Sequence, residues 1–169
     1  MAILSPDHLL EQAEKLVAAP PAGPPRQADL RRAVSAAYYA VFHYVLTAAA
    51  DEFAGVTKRG TKLYTLVYRA IDHRALRELC MESKKTALPA KFQKYAPANG
   101  MGPNIQAFAT ALIELQEKRH TADYDPSVRF KTSDVRLAIA TGKSAIKRFE
   151  RASSARRKAF LALLLFPPR

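Results

Sequence analysis

The chain has 169 residues, the size of one ordinary domain and enough to bury a core without disulfides or metals. Its residues are 49% hydrophobic and 25% charged, a balance that excludes a wholly disordered chain, a collagen-like repeat and a multispan membrane protein. The 27 Lys and Arg outnumber the 15 Asp and Glu, so the net charge is +12. This charge favours polyanionic partners such as nucleic acid, nucleotides, acidic proteins or anionic lipid, and a basic surface that serves only solubility is the alternative.

The cysteine content and the apolar runs of the sequence indicate the cellular environment of the chain. A single cysteine, Cys80, has no partner for an internal disulfide, and without a cluster of Cys and His no structural zinc site is expected. We therefore predict neither a metal nor a cofactor, and a reducing, cytoplasmic localisation. The N-terminus lacks the basic start and apolar stretch of a signal peptide. The longest apolar run, residues 160–166, is far shorter than the roughly 20 residues that span a bilayer, so we expect a soluble protein with no membrane partner.

Apolar residues at helical spacing predict helices in chain order and almost no strand. Ser5 can cap a first helix that begins at Pro6, and a proline-rich linker at residues 18–25 ends it. Four further helices are predicted over about 26–53, 62–81, 104–120 and 132–166. The third would turn one apolar face inward, formed by Leu63, Leu66, Val67, Ala70 and Ile71. Residues 83–103 form a long connection with a short helix beginning at Pro89.

These elements predict the class and the domain organisation. The fold class is all-α, an up-down bundle of four to five helices with a long basic C-terminal helix. We expect a single domain over residues 1–169, with its core at about 5–150 and a basic and apolar helical extension at 151–169.

The second helix carries an unusual face opposite its core stripe. Arg32, Tyr39 and His43 are spaced seven and four residues apart and so share one face, with Ser35 and Phe42 beside them. A solvated face would typically carry Glu, Lys and Gln instead. The pattern predicts a second buried surface, against another helix, another subunit or an anion. The alternative is that Tyr39 and His43 are ordinary core residues with satisfied hydrogen bonds.

The apolar stripe of the predicted fourth helix ends at an arginine. Arg119 continues the series of Phe108, Leu112 and Leu115, where a guanidinium is costly unless it is paired or reaches water. This predicts a salt bridge or an anion site, and the alternative is an arginine that snorkels to solvent at a helix end. Together the two helices supply the candidate residues for nucleotide or phosphate binding: Arg32, Ser35, Tyr39, His120 and Asp123.

The predicted C-terminal helix concentrates positive charge. Residues 143–158 hold seven basic side chains and one acid. A basic helix can follow a phosphate backbone without reading sequence, and a solvated basic face is the alternative. The candidate nucleic-acid-binding residues are Lys147, Arg148, Arg151, Arg156, Arg157 and Lys158. Because residues 160–166 are too apolar to stay exposed, we expect them to be buried against a partner or a second subunit.

Two stretches carry a resemblance to a known family. LRRAVSAAYYAVFHYVL at residues 30–46 and EKRHTADYDP at 117–126 resemble the HEPN (higher eukaryotes and prokaryotes nucleotide-binding) domain family, and most of all its small stand-alone bacterial and archaeal members. The resemblance implies an up-down helical bundle that commonly forms a homodimer. Many members are metal-independent ribonucleases with an Arg and, four to six residues later, a His at a composite dimer site. Others are toxins paired with a minimal nucleotidyltransferase, or noncatalytic nucleotide-binding or scaffolding modules.

The resemblance also implies roles for individual residues. Arg119 takes the place of the family arginine, and Tyr124 stands where the family has its histidine. His120 is too near Arg119 to be the usual partner. Because a tyrosine hydroxyl is a poor base near neutral pH, His43 is the remaining candidate to activate a 2′-hydroxyl. The candidate catalytic residues are therefore Arg119, Tyr124 and His43.

Two hypotheses about function stay open at this point. The first is a HEPN-type toxin or defence component that binds RNA or a nucleotide, with metal-independent ribonuclease activity, neutralised by a nucleotidyltransferase partner. The second is a noncatalytic dimeric helical module that binds an acidic or nucleotidyltransferase partner through its charge. A DNA-binding regulator is a weaker third interpretation, because no helix-turn-helix pattern stands out.

Overall fold

A computed structural model of the chain describes residues 3–18, 20 and 22–168. This part of the chain forms eight α-helices and no strand, which confirms the all-α class. The helices are α1 (Pro6–Val17), α2 (Gln27–Ala50), α3 (Lys62–Arg69), α4 (His73–Ser83), α5 (Ala90–Gln93), α6 (Gly102–Tyr124), α7 (Thr132–Arg151) and α8 (Ser154–Leu165). Residues 19 and 21 of the predicted linker, and 1–2 and 169 at the ends of the predicted domain, lie outside the described residues.

Helix α2 is the centre of the fold and packs against α1, α6 and α7. Its buried alanines keep it narrow enough for such neighbours, and α7 meets it at Gly142, where a Cβ atom would come within 3.2 Å of the Ala37 carbonyl oxygen. By length and composition alone, Gln27–Lys58 would be apolar enough to cross a membrane, but 72% of its apolar 18-residue stretch is buried inside the fold. We therefore describe α2 as a core helix.

The helix predicted over 62–81 is two helices, and its predicted inward face is wrong. Asp72 interrupts it by accepting a hydrogen bond from the backbone N–H of Ala75 at 2.7 Å, which caps α4. Because of this break, α3 and α4 have different orientations. As a result Ile71 is buried, whereas Leu63 is 56% and Leu66 is 68% exposed.

The long C-terminal helix is also divided. Helix α7 ends at Arg151, and the side chain of Ser153 caps α8 by accepting from the Arg156 backbone N–H. The prediction that residues 160–166 are buried against a partner is wrong for most of them, because they are buried within the chain itself. Phe160 packs edge to face on Phe108 and Phe149, with ring centroids 5.7 Å away in both cases. These two divisions, with the short α5, explain why the described residues form eight helices where four to five were predicted.

Candidate functional site

The candidate site lies where α6 crosses α2, and it depends on the length of α6. This helix continues to Tyr124, one turn beyond the predicted end near residue 120. Because Asp123 is then still helical, it lies one turn after Arg119, and its Oδ2 is 2.6 Å from Arg119 Nε. The Arg119 side chain is only 19% exposed. The sequence predicted that this arginine would be paired or would hold an anion, and the fold pairs it.

Two tyrosine rings complete the surroundings of Arg119. Its Nη2 donates a hydrogen bond to Tyr39 Oη at 2.9 Å. Its guanidinium carbon lies 5.4 Å from the ring centre of Tyr39 and 5.7 Å from that of Tyr124, within the range of cation–π attraction. Burial on its own would lower the pKa of Arg119. Electrostatic interactions with Tyr39, Asp123, Tyr124 and Tyr38 outweigh burial, so the pKa is raised. The guanidinium is therefore a permanent cation held by α2 and α6 together.

Ser35 reaches this site only through Asp123. Its hydroxyl donates to Asp123 Oδ1 at 2.5 Å, while Oδ2 of the same carboxylate faces Arg119. Ser35 is 8% exposed. The serine thus fixes the carboxylate that pairs with the arginine, and its oxygen is already used.

Two histidine–tyrosine pairs lie next to Tyr39. Nδ1 of His43 is 2.7 Å from Tyr68 Oη, and Nδ1 of His73 is 2.7 Å from Tyr38 Oη. Burial lowers the pKa of His43, and His73 adds to this effect. Burial also lowers the pKa of His73, helped by the charge of Arg119. Both imidazoles are therefore neutral at pH 7 and able to accept a proton.

An open cleft of about 430 Å³ runs beside Arg119 on the surface of α6. Its lining is polar and is formed by Arg77, Gln116, Glu117, Arg119, His120 and Thr121. Gln116 joins this cleft to the start of α4, because its Nε2 donates to the His73 backbone carbonyl oxygen at 3.2 Å. Exposed His120 lies over Tyr124, with ring centroids 5.0 Å apart. The cleft gives a ligand access to one edge of the arginine.

The structure brings together most of the residues that the sequence predicted for this site. Arg119, Tyr124, Tyr39, Asp123 and Ser35 form one contiguous group. His43 is linked to this group only through Tyr39, because its ring centre lies 6.2 Å from that of Tyr39. Arg32 is exposed, and no hydrogen bond or ion pair joins it to this group within the described residues.

The predicted nucleic-acid-binding residues do not form one continuous stripe. Lys147, Arg148 and Arg151 lie on α7, whereas Arg156, Arg157 and Lys158 lie on α8. Half-buried Arg156 donates from Nε to the Gly100 carbonyl oxygen at 3.3 Å. Lys158 pairs with Glu52 at 2.9 Å. The break between α7 and α8 therefore divides the basic cluster into two groups with different surroundings.

Sequence reasoning missed two parts of this region. One is Arg31, which donates to the carbonyl oxygens of Ala122 at 2.8 Å, Asp125 at 2.9 Å and Val128 at 2.5 Å. Its signal was the spacing of Arg31, Ser35, Tyr38 and Phe42, which follow one another at helical intervals. The other part is formed by His73 and Tyr68, the partners of Tyr38 and His43, which had no signal because the break before α4 was not predicted.

The fold and the site define an all-α protein with a partly buried arginine between tyrosine rings and neutral histidines. Comparison of the chain with protein-family models, with curated proteins and with solved structures found no match.

Proposed function

We propose that this chain is a HEPN-type protein that binds the phosphate of an RNA or a nucleotide at Arg119. One observation carries the proposal. The guanidinium is held in place by Tyr39 and Asp123 beside two aromatic rings, and the Arg119 side chain lines an open cleft.

Phosphate fits this arrangement by its charge and its shape. A guanidinium presents a planar fork of donors that matches two phosphate oxygens. Arg77 lines the same cleft and supplies a second guanidinium, which is paired there with Glu117 at 3.0 Å. Tyr124 is 64% exposed and offers a ring face on which a base can stack. The net charge of +12 attracts a polyanion to the protein as a whole.

The catalytic part of the proposal is metal-independent cleavage of RNA. His43 then takes the proton of the 2′-hydroxyl, since burial lowers the pKa of its imidazole and so keeps the ring in the neutral form that can accept a proton. The 2′-oxygen attacks the phosphorus as the bond from phosphorus to the 5′-oxygen breaks, which leaves a 2′,3′-cyclic phosphate. Arg119 stabilises the negative charge that develops on the phosphate oxygens, and the Tyr124 hydroxyl gives its proton to the departing 5′-oxygen. His43 lies on the Tyr68 side of Tyr39, so this role requires the substrate to reach past the Tyr39 ring.

The assembly and setting belong to the same proposal. Two copies of an up-down bundle built around α2 and α6 form a homodimer with a composite site, and a nucleotidyltransferase neutralises the protein as the antitoxin of a cytoplasmic pair. The basic residues of α7 and α8 extend the path of the RNA backbone. What supports this is the resemblance of residues 30–46 and 117–126 to the family, together with the charge.

The test uses a fluorescently labelled single-stranded RNA in buffer containing a chelator. Binding is followed by anisotropy and cleavage on a gel, for wild type, Arg119→Ala and His43→Ala. We expect Arg119→Ala to bind much more weakly and not to cleave, and His43→Ala to bind but not cleave. Arg136→Ala, an exposed arginine on α7, is the matched control and should behave as wild type. Equal loss in Arg119→Ala and Arg136→Ala would contradict a site at Arg119.

A noncatalytic module that binds an acidic protein is the second candidate. The observation that favours it is the Asp123 carboxylate, which already balances Arg119 and is held there by Ser35. An arginine in such a pair can serve packing alone. Wild-type protein that neither binds nor cleaves RNA, but forms a complex with an acidic nucleotidyltransferase, would establish this function instead.

A further inference from the structure

Helix α3 carries an outward apolar face that no part of the described chain covers. Leu63 is 56% and Leu66 is 68% exposed, because Tyr64 occupies the inward side of the helix and is fully buried. Val56, in the turn before the helix, is 58% exposed. At the other end of this region Phe53 and Phe166 meet edge to face, with ring centroids 6.0 Å apart, and Phe166 is 67% exposed.

The same segment is strongly basic. Between Glu52 and Asp72 the sequence holds four basic residues and no acid: Lys58, Arg59, Lys62 and Arg69. Arg59 pairs with Asp51 at 2.5 Å. The other three make no ion pair within the part of the chain that the structure describes.

The cations and the leucines share one side of the helix. At about 100° per residue, Lys62, Leu66 and Arg69 fall within about 60° of one another, and Leu63 follows about 60° further round. All four are exposed. Aliphatic side chains therefore stand directly beside unpaired positive charges.

We propose that residues 53–69, the basic apolar segment, bind the surface of an anionic lipid bilayer. The headgroup region of such a bilayer accepts both parts of the segment, because leucines insert below the phosphates that the cations attract. A nucleic acid would use the cations but leave the leucines in water.

A protein partner is the less favoured occupant because of size. A stable protein interface needs about 800 Å² on each side, and an eight-residue helix that exposes two leucines is a small part of that. A bilayer needs only a few inserted side chains, and each Lys or Arg near its surface adds roughly fivefold in affinity. The sequence prediction of no membrane partner rested on the lack of a spanning segment, which binding at the surface does not require. The inference is independent of the function proposed for Arg119.

The first experiment is sedimentation of the full chain with vesicles. Wild type should bind vesicles of equimolar phosphatidylcholine and phosphatidylserine, and should not bind vesicles of phosphatidylcholine alone. Leu63→Ser with Leu66→Ser should weaken binding about tenfold or more through lost apolar insertion. Lys62→Glu with Arg69→Glu should weaken it at least as much. Since all four side chains are exposed, the variants should stay folded, which circular dichroism checks.

Matched controls separate the segment from the charge of the whole protein. Leu137 on α7 is 57% exposed, so Leu137→Ser matches the leucine changes. Arg129→Glu with Arg136→Glu matches the charge reversal at two other exposed positions. These controls should lose less than about threefold. Equal losses in both sets, or equal binding to neutral and anionic vesicles, would overturn the proposal.

A fluorescent reporter gives a second readout. The chain has no tryptophan, so Leu66→Trp introduces a single fluorophore at the proposed contact and Leu137→Trp introduces one elsewhere. Emission of Leu66→Trp should shift to shorter wavelength when phosphatidylserine vesicles are added, and emission of Leu137→Trp should not. A shift of Leu66→Trp with polyglutamate or RNA but not with vesicles would overturn the proposal in favour of another polyanion.

Discussion

Two inward-pointing arginines, Arg31 on α2 and Arg119 on α6, show how similar side chains serve different ends. Arg31 gives its donors to three backbone carbonyl oxygens at the end of α6 and in the turn that follows. Arg119 makes one hydrogen bond to a phenol, one ion pair and two ring contacts, and borders a cleft. The first is held by three backbone carbonyl oxygens that the end of α6 and the following turn fix in position. The second is held by side chains that can exchange for a ligand.

The largest effect that tests this comparison is on stability at Arg31. Arg31→Ala should lower the free energy of unfolding by about 3 kcal/mol, because three carbonyl oxygens lose a charged donor. Urea unfolding followed by circular dichroism measures the change. Its neighbour Arg32, which is exposed, provides the control, and Arg32→Ala should change stability by less than about 0.5 kcal/mol. Similar values for the two variants would show that the carbonyl contacts of Arg31 contribute little.

The next effect is on binding at Arg119. Arg119→Ala should weaken binding of a short RNA by about 30-fold, which corresponds to about 2 kcal/mol for a lost charged contact. Its unfolding free energy should fall by about 1 to 2 kcal/mol, less than for Arg31→Ala, since one hydrogen bond and one partly buried ion pair are lost. Anisotropy titration and urea unfolding of the same sample give both values. A large loss of stability with unchanged RNA binding would make Arg119 structural, like Arg31.

Much of the fold was predictable because helical periodicity depends on local sequence alone. The spacing of apolar residues identified the centre of each long helix, including α2 and α6. The breaks were not predictable in the same way. Asp72 and Ser153 are ordinary polar residues within a helical pattern, and they end helices only because their side chains cap the following ones.

The site was predictable where its residues share a helical face with a known direction. Arg119 extends an apolar stripe, so its burial followed from spacing, and Tyr39 followed from the opposite face of α2. The role of Asp123 was predicted incompletely, because a helix end near residue 120 would have removed it from the turn after Arg119. The helical spacing of Arg31 with Ser35 and Tyr38 could have placed it on the inward face, but its partners are backbone carbonyl oxygens, which the sequence does not mark.

A smaller effect should come from removing the competitor of a ligand at Arg119. Asp123→Asn removes the negative charge that faces the guanidinium, so RNA binding should become about fivefold tighter, the equivalent of about 1 kcal/mol. Ser35→Ala is the matched control, since it removes the hydrogen bond to Asp123 but keeps the carboxylate. It should lower stability by about 1 kcal/mol and leave binding unchanged. Weaker binding in Asp123→Asn would mean that the carboxylate positions the arginine rather than competing for it.

The smallest expected effect is a pH dependence of stability that arises from the histidines near Arg119 and not from the groups near Arg31. Burial lowers the pKa of both His43 and His73 below the ordinary value of 6.5. The unfolded chain therefore binds more protons than the folded one at mildly acidic pH, so stability is complete above 6.5 and falls as pH drops below it. Near Arg31, the pKa of Asp125 is lowered chiefly by hydrogen bonds from Ser127, so that carboxylate stays charged over this range.

Unfolding free energies measured in urea from neutral to mildly acidic pH test this assignment. Wild type should lose stability on acidification, and the double variant His43→Gln with His73→Gln should lose less. His120→Gln is the control, because His120 is exposed and has no hydrogen bond to either histidine–tyrosine pair within the described residues. It should keep the wild-type slope. If the double variant lost stability on acidification as steeply as wild type, the titrating groups would lie outside the candidate site. That result would contradict the lowered pKa of His43 and His73.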